Sequence, residues 1–324
     1  MTRLVRPDQV ESVVGGLLGA VDVDGGPTDE QARILAALAT HVWARPDLDL
    51  ATVTPLGPAE VAAAIGGTDA VRRFHYLLVL LELCRHPLTA AQDARVREYA
   101  SALALDGIGL EFCRDLVAQG VEAARADHDR FEVNLRTVQE EPQLRTRTLR
   151  DDLTDPELVE RILSFARLPE GTLGHALTQF YADHGLSVPG ASASEINYVF
   201  VAHDMNHVIA GYPPVAAGEV SLGAFQMGMS DSEASWILCL TNLAIHEAGV
   251  IQLGDIAPKS ETLARPGVAD MFAQAMARGI ACTGDFGAAD HFAMVEWPLE
   301  EVRAHFGVPP LPAVPPAATG GAPA

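Results

Sequence analysis

Apolar residues recur at three- and four-residue spacing along most of the chain, and runs of β-branched alternation are few, so the pattern predicts an all-α protein. Two N-terminal stretches resemble each other. "TDEQARILAALA" from Thr28 and "TAAQDARVREYASALA" from Thr89 both open T-x-x-Q, where the threonine hydroxyl can accept a backbone amide and the glutamine can reach back to the cap. Each follows an apolar helical run, "VVGGLLGAVD" and "FHYLLVLLELC", which gives a pair of helix-turn-helix units. The polar run "RTVQEEPQLRTRTLRDDLTDPE" lacks helical period and reads as a linker at 136–150. Helix signals resume at "TDPELVERILSFARL", with Thr154 or Asp155 as cap and Pro156 in the first turn. The chain divides on this reading into a helical unit over 1–135, the linker, a second helical unit over 151–308, and a disordered Pro/Ala/Gly-rich tail at 309–324. Each helical unit is long enough to fold alone, so a C-terminal fragment cut at 140–150 is expected to stay soluble.

Within the second unit, "EINYVFVAHDMNHVIAGY" carries the densest polar cluster in an apolar setting. On a helix His203 and His207 share a face one turn apart, and Asp204 stands three residues before His207. Gly211 suits a left-handed C-cap and Pro213-Pro214 stops the helix, so the next segment, "AAGEVSLGAFQMGM", can run back and deliver Glu219 near its start. Unpaired ionisable groups among apolar flanks are costly, which favours a metal over four unrelated polar residues. Two histidines and two carboxylates suit one divalent ion, and the donor set does not select among zinc, iron, manganese and cobalt; zinc is the leading expectation.

Charge and cysteine usage narrow the partners. With 43 acidic against 22 basic residues and a net charge of -21, long-range electrostatics oppose binding to nucleic acid and to anionic membranes. Cys84, Cys113, Cys239 and Cys282 are widely spaced without a C-x-x-C pair, and read as buried thiols of a reducing compartment. The start "MTRLVRPDQVESVV" lacks a signal-peptide core, and the longest apolar runs are too short to span a bilayer. The expectation is a cytoplasmic protein without a transmembrane segment, with room for peripheral membrane contact and for a homodimer or a biosynthetic complex.

H-D-x-x-H followed after eleven residues by Glu219, with Gly211-Tyr212 between, resembles the metal motif of the coenzyme Q (ubiquinone) biosynthesis protein four family, here Coq-four. "LPEGTLGHALTQFY" at 168–181 is similar to that family's L-P-x-G-T-x-G-x-A segment, and "WPLEEVRAHFGV" at 297–308 to its P-L-E-E-V-R ending. The resemblance covers 150–308. It implies a helical fold, a divalent metal, an apolar groove for a polyprenylated ring or long lipid, and oxidative decarboxylation of a ubiquinone precursor. It places both metal binding and catalysis on His203, Asp204, His207 and Glu219. The N-terminal unit, over 8–130, resembles TerB-like tellurite-resistance domains, with "AVDVDGGPTDEQARILAAL" as its first turn and helix.

The implied function is a metal-dependent decarboxylase or hydroxylase acting on a hydrophobic aromatic or quinone-type substrate. Two alternatives stand beside it: a non-catalytic lipid- or quinone-binding scaffold, and a metal-dependent phosphohydrolase using His203-Asp204 with His175 as the upstream histidine and Asp231 or Asp255 as the downstream aspartate. Substrate contacts are expected from Tyr212, Leu222, Phe225, Gln226, Met229 and Trp236, although the same residue types also suit a packed core. Asn206 is placed to orient ligands. His246-Glu247 falls late in its helix, where the helix dipole accounts for a histidine. "SDSE" at 230–233 reads as the capping box of the helix "ASWILCLTNLAIHEAG".

Overall fold

The computed structural model describes residues 4–105, 154–192, 197–251, 257–287 and 289–312. The linker read at 136–150, Cys113 and Asp255 lie outside them, as do 313–324 of the tail. Among the described residues the fold is all-α, without a named strand. The helices are α1 (Val10–Val21), α2 (Asp29–Ala37, continuing as a wider π turn over Leu38–Val42), α3 (Pro58–Ala64), α4 (Thr68–Leu83) and α5 (Ala90–Ala102) in the first half. The second half holds α6 (Pro156–Ser164), α7 (Leu173–His184), α8 (Asn197–Ala210), α9 (Ala216–Ser230), α10 (Glu233–His246), α11 (Val268–Ala281) and α12 (Leu299–His305). No helix among the described residues is long and apolar enough to cross a membrane.

Caps decide several boundaries. Thr28 and Gln31 form the full reciprocal box at the start of α2. At α5 only half of it forms: Thr89 accepts the Gln92 amide, but the Gln92 side chain turns into the core, donating to the Ala20 carbonyl and accepting from Arg85 and Gln31. The two glutamines of the repeated T-x-x-Q stretches thus meet in one buried network. Asp155 caps α6, with Pro156 in its first turn. The box expected on Ser230 is displaced by two residues: Ser230 closes α9, Asp231 takes a left-handed conformation at φ 50° as its C-cap, and Ser232 with Ser235 caps α10. A residue still inside one helix cannot serve as the extended N-cap of the next.

Helix α9 is the hub of the second half. It packs along α11 and α10, and it touches α8. The α9–α11 approach depends on glycine at the crossing, since a Cβ on Gly279 would sit 2.0 Å from the Phe225 carbonyl oxygen and one on Gly228 2.3 Å from that of Met276.

The two halves meet along a seam where α4 packs on α10, and where α2 and its π turn pack on α11. Tyr76 stacks on Trp236 with ring centres 5.0 Å apart. Arg73 pairs with Asp231, His41 lies 3.0 Å from Asp270, and Arg33 donates to the Ala264 carbonyl at 2.8 Å. Buried apolar residues from both halves form one connected core. Cys84, Cys239 and Cys282 are free and buried within the fold.

Candidate metal centre

Helix α8 carries His203, Asp204 and His207, and its C-terminal end is unusually well secured. Gly211 adopts φ 86°, a left-handed conformation open to glycine, and its amide donates to the His207 carbonyl at 2.7 Å. The next carbonyls would otherwise be unpaired. Arg303 of α12 donates to those of Val208 and Ile209, each at 3.0 Å, and Arg278 of α11 donates to that of Ala210 at 3.1 Å. Arg278 also donates to the Tyr212 hydroxyl and to the Pro309 carbonyl, each at 2.7 Å. Two guanidinium groups therefore sit at the negative end of the helix dipole. The stretch read as a disordered tail begins with Pro309 held against Arg278.

The chain reverses through Pro213-Pro214, and Glu219 enters from the first turn of α9. His203 Nε2 lies 3.0 Å from Glu219 Oε2, His207 Nε2 lies 3.1 Å from Glu219 Oε1, and the two Nε2 atoms are 3.0 Å apart. Donors bonded to one ion at about 2.0–2.2 Å stand about 3 Å or slightly more apart, so these separations fit a shared cation. The tautomers support the same fit. His207 Nδ1 is 3.0 Å from the Tyr212 carbonyl oxygen, which can only accept, so Nδ1 carries the proton. In the neutral ring Nε2 is then a bare lone pair facing a carboxylate oxygen and a second imidazole. Such a juxtaposition requires a cation, either a proton or a metal ion. The three residues form one of two groups with metal-ligand proximity among the described residues.

Electrostatics follow the geometry. Burial alone would raise the Glu219 carboxyl, but the His207 and His203 charges and their hydrogen bonds hold it well below the usual carboxylate range. Burial opposes protonation of His203, yet Glu219 and then Asp204 raise its affinity for a proton. Of the four expected ligands, Asp204 stands outside the convergent set. One residue past His203 it is rotated about 100° round the helix, and its Oδ2 accepts the Tyr181 hydroxyl of α7 at 2.9 Å. Burial pushes its carboxyl up to about 6 against the opposing His203 and His207 charges. The Tyr181 hydroxyl is raised in turn, by burial first and then by the Asp204 charge.

The remaining candidates divide. Tyr212 is engaged through its carbonyl by His207 and through its hydroxyl by Arg278. Leu222, Phe225 and Trp236 are fully buried among protein side chains, Phe225 against Phe286 and Tyr212, and Trp236 at the seam against Tyr76. Gln226 and Met229 are partly exposed beside Gly287. Asn206 accepts from His291 Nε2 at 3.0 Å, which buttresses α8 from the chain after α11. Asp231 is taken up by Arg73 and by the Trp236 indole N–H at 2.9 Å, so it faces the seam. His175 Nδ1 is buried without a hydrogen-bond partner.

Two further residues lie near the cluster: Phe180, which sequence reasoning missed, and His246, which it assigned to the helix dipole. Phe180 stacks on His207 with ring centres 5.6 Å apart, and covers one side of it. His246 at the end of α10 experiences the charges of Glu219, His203 and His207, and burial lowers its proton affinity. Its Nδ1 is buried without a partner. Phe180 lies four residues before His184 and one before Tyr181 in the 168–181 segment, a spacing that marks it as helical without indicating what it covers. The cluster is open on the His203 side, whose side chain is 26% exposed.

The three sequence stretches that carry the Coq-four resemblance are neighbours in space. The Leu173 and Gly174 amides donate to the Trp297 and Val295 carbonyls at 2.9 Å, Leu299 N donates to Gly171 O at 2.8 Å, and both segments hold α8 through Tyr181 and Arg303. No family model matches the chain, and no curated protein matches it. Among solved structures, a chain from Nostoc punctiforme named as a candidate ubiquinone biosynthesis protein is 19% identical, with a TM-score of 0.34, over 73% of this chain and 97% of that one. At that TM-score the likeness carries no inference about fold or function.

Proposed function

We propose that this chain is a metal-dependent enzyme of the Coq-four type, acting on a hydrophobic ring acid. The carrying observation is the convergence of His203 Nε2, His207 Nε2 and both Glu219 oxygens at 3.0–3.1 Å, with His207 oriented by a backbone carbonyl. His203, His207 and Glu219 would hold the ion, with Asp204 and Tyr181 alongside. A divalent ion there supplies Lewis acidity toward the oxygen substituents of a ring, without redox chemistry of its own if it is zinc.

The protein groups divide the work. The arginine-capped end of α8 keeps both imidazoles in register. Phe180 excludes water from the His207 side. Asp204, raised to about 6, is poised to exchange a proton near neutral pH, and the Tyr181 hydroxyl stabilises its ionised form. In its neutral form this carboxyl can donate its proton to the ring carbon as the substrate's carboxyl group leaves as carbon dioxide, and solvent reprotonates it for the next turnover. The strongly acidic surface supports entry of the ligand by apolar burial, with charge complementarity confined to the ion.

The test uses the full chain loaded separately with zinc, iron, manganese or cobalt and offered a prenylated hydroxybenzoate in the presence of oxygen, with carbon dioxide release and oxygen uptake as readouts. Turnover that disappears in His207→Ala while ligand binding persists in native mass spectrometry supports the enzyme. Binding without turnover under every metal would make the chain a scaffold. Absence of both would remove the quinone-type substrate class.

A further inference from the structure

A second cluster lies at the seam between the halves. Glu30 projects from the first turn of α2, His86 follows α4, and Glu247 follows the last residue of α10. His86 Nε2 is 2.8 Å from Glu247 Oε1 and 3.6 Å from Glu30 Oε2, and the three ligand atoms lie within 4.8 Å of one another. Glu247 is wholly buried, and its other oxygen accepts the Leu263 amide at 2.6 Å. Glu30 is more than nine-tenths buried, and its Oε1 has no hydrogen-bond donor. Arg33, a basic neighbour of Glu30, spends its guanidinium on the carbonyls of Asp29 and Ala264. His86 is 16% exposed, which leaves a narrow route from solvent.

Two buried carboxylates in contact cannot both be ionised without a cation between or beside them. We propose that Glu30, His86 and Glu247 form a second divalent-cation site, which fastens the N-terminal helices to the end of α10. The donor set of two oxygens and one imidazole nitrogen suits zinc, manganese, iron or cobalt; calcium would need six to eight oxygens. An ion at this point is met by Glu30 Oε2, His86 Nε2 and Glu247 Oε1, and it neutralises both carboxylates. Without one, burial and the Glu247 carboxylate push Glu30 up to about 9, and the pair retains a proton. Since the ligands come from both halves, binding is coupled to their docking, and the ion stabilises the seam by mass action. The site shares no ligand with the His203 cluster.

The experiment takes the chelator-treated full chain, adds zinc, and reads metal per chain by elemental analysis together with the melting temperature. Wild type is expected to bind two equivalents, Glu219→Gln one, Glu30→Gln and His86→Gln one each, and the Glu30→Gln/Glu219→Gln double variant none. Zinc is expected to raise the melting temperature of Glu219→Gln by several degrees and that of the double variant by none. A single wild-type equivalent kept by Glu219→Gln and lost by Glu30→Gln would uphold the seam site and remove the ion from the His203 cluster. Wild-type zinc content and an unchanged thermal shift in both seam variants would overturn the proposal, leaving a proton-sharing carboxyl pair. Should the seam variants not fold, the zinc anomalous signal in wild-type crystals decides: a peak among Glu30, His86 and Glu247 upholds the site, and its absence at full zinc loading refutes it.

Discussion

The two histidine–carboxylate clusters use similar residues and are built in opposite ways. In the first, His203 and His207 are one helical turn apart and Glu219 arrives after a single reversal, so the geometry is nearly local. In the second, Glu30, His86 and Glu247 come from three distant parts of the chain and meet only once the halves pack. Dedicated groups brace the first, with the Tyr212 carbonyl on His207 and with Arg278 and Arg303 on the helix end. The second is braced by the seam itself. A local site can persist when distant packing loosens, whereas a seam site should be lost with it. Adjacent residues join the two, for His246 experiences the charges of the first cluster while Glu247 belongs to the second.

The change with the largest bearing on this contrast is at the seam. Trp236→Ala removes a fully buried indole stacked on Tyr76 and should cost about 3–5 kcal/mol in thermal or denaturant unfolding. The His203 cluster is expected to keep its ion at temperatures where the variant is still folded. Equal loss of metal from both clusters would mean that the first site is not local. A fragment over 151–312 is the coarser form of the same test: it exposes Trp236 and the α11 face that packs on α2, and it should be less stable than the full chain while retaining the first ion.

His207→Ala is the complementary change. It removes a ligand next to both other donors and should weaken the first site by a hundredfold or more, about 3 kcal/mol, leaving the seam's zinc response intact in an elemental and thermal titration. An acid titration probes the buttress behind α8. His291 is buried against Asn206, and burial lowers its pKa to about 4. The unfolded chain then takes up this proton first as pH falls below about 6.5, so stability is lost between about 6.5 and 4, by about 3 kcal/mol at most. His291→Gln should flatten that part of the pH–stability curve. If the two curves run parallel, His291 is not the group responsible.

What can be read from the sequence follows the same division. The H-D-x-x-H turn, the stop at Gly211 and the return of Glu219 are fixed by helical period and by glycine and proline chemistry, so the triad is legible. Asp204 is harder, because its spacing to His207 allows a shared face while its adjacency to His203 turns it toward α7, and only the position of Tyr181 decides between them. S-D-S-E contains two serines in reach of the next helix, so the pattern alone favours Ser230 as the cap, and the left-handed Asp231 selects Ser232 instead. Leu222, Phe225 and Trp236 have residue types equally at home in a groove or a core, and packing partners from α4 and from the chain after α11 place them in the core. Nothing local announces Glu30, His86 and Glu247.

The smallest change bears on Asp204. Tyr181→Phe removes the hydroxyl that favours the ionised carboxyl, and should weaken metal binding at the first cluster by about tenfold, near 1.4 kcal/mol. It should also move the alkaline limb of decarboxylation upward, because Asp204 would hold the proton it donates to higher pH. A variant with wild-type affinity and an unmoved pH profile would show that Asp204 only packs against α7.

Whether the His203 cluster holds an ion is decided by anomalous diffraction from crystals of the full chain grown with zinc, recorded above and below the zinc absorption edge. The expected result is a peak bonded to His203 Nε2, His207 Nε2 and a Glu219 oxygen at about 2.0–2.2 Å. A zinc-replete crystal without that peak, with the two imidazoles and Glu219 still hydrogen-bonded to one another, would contradict the metal centre.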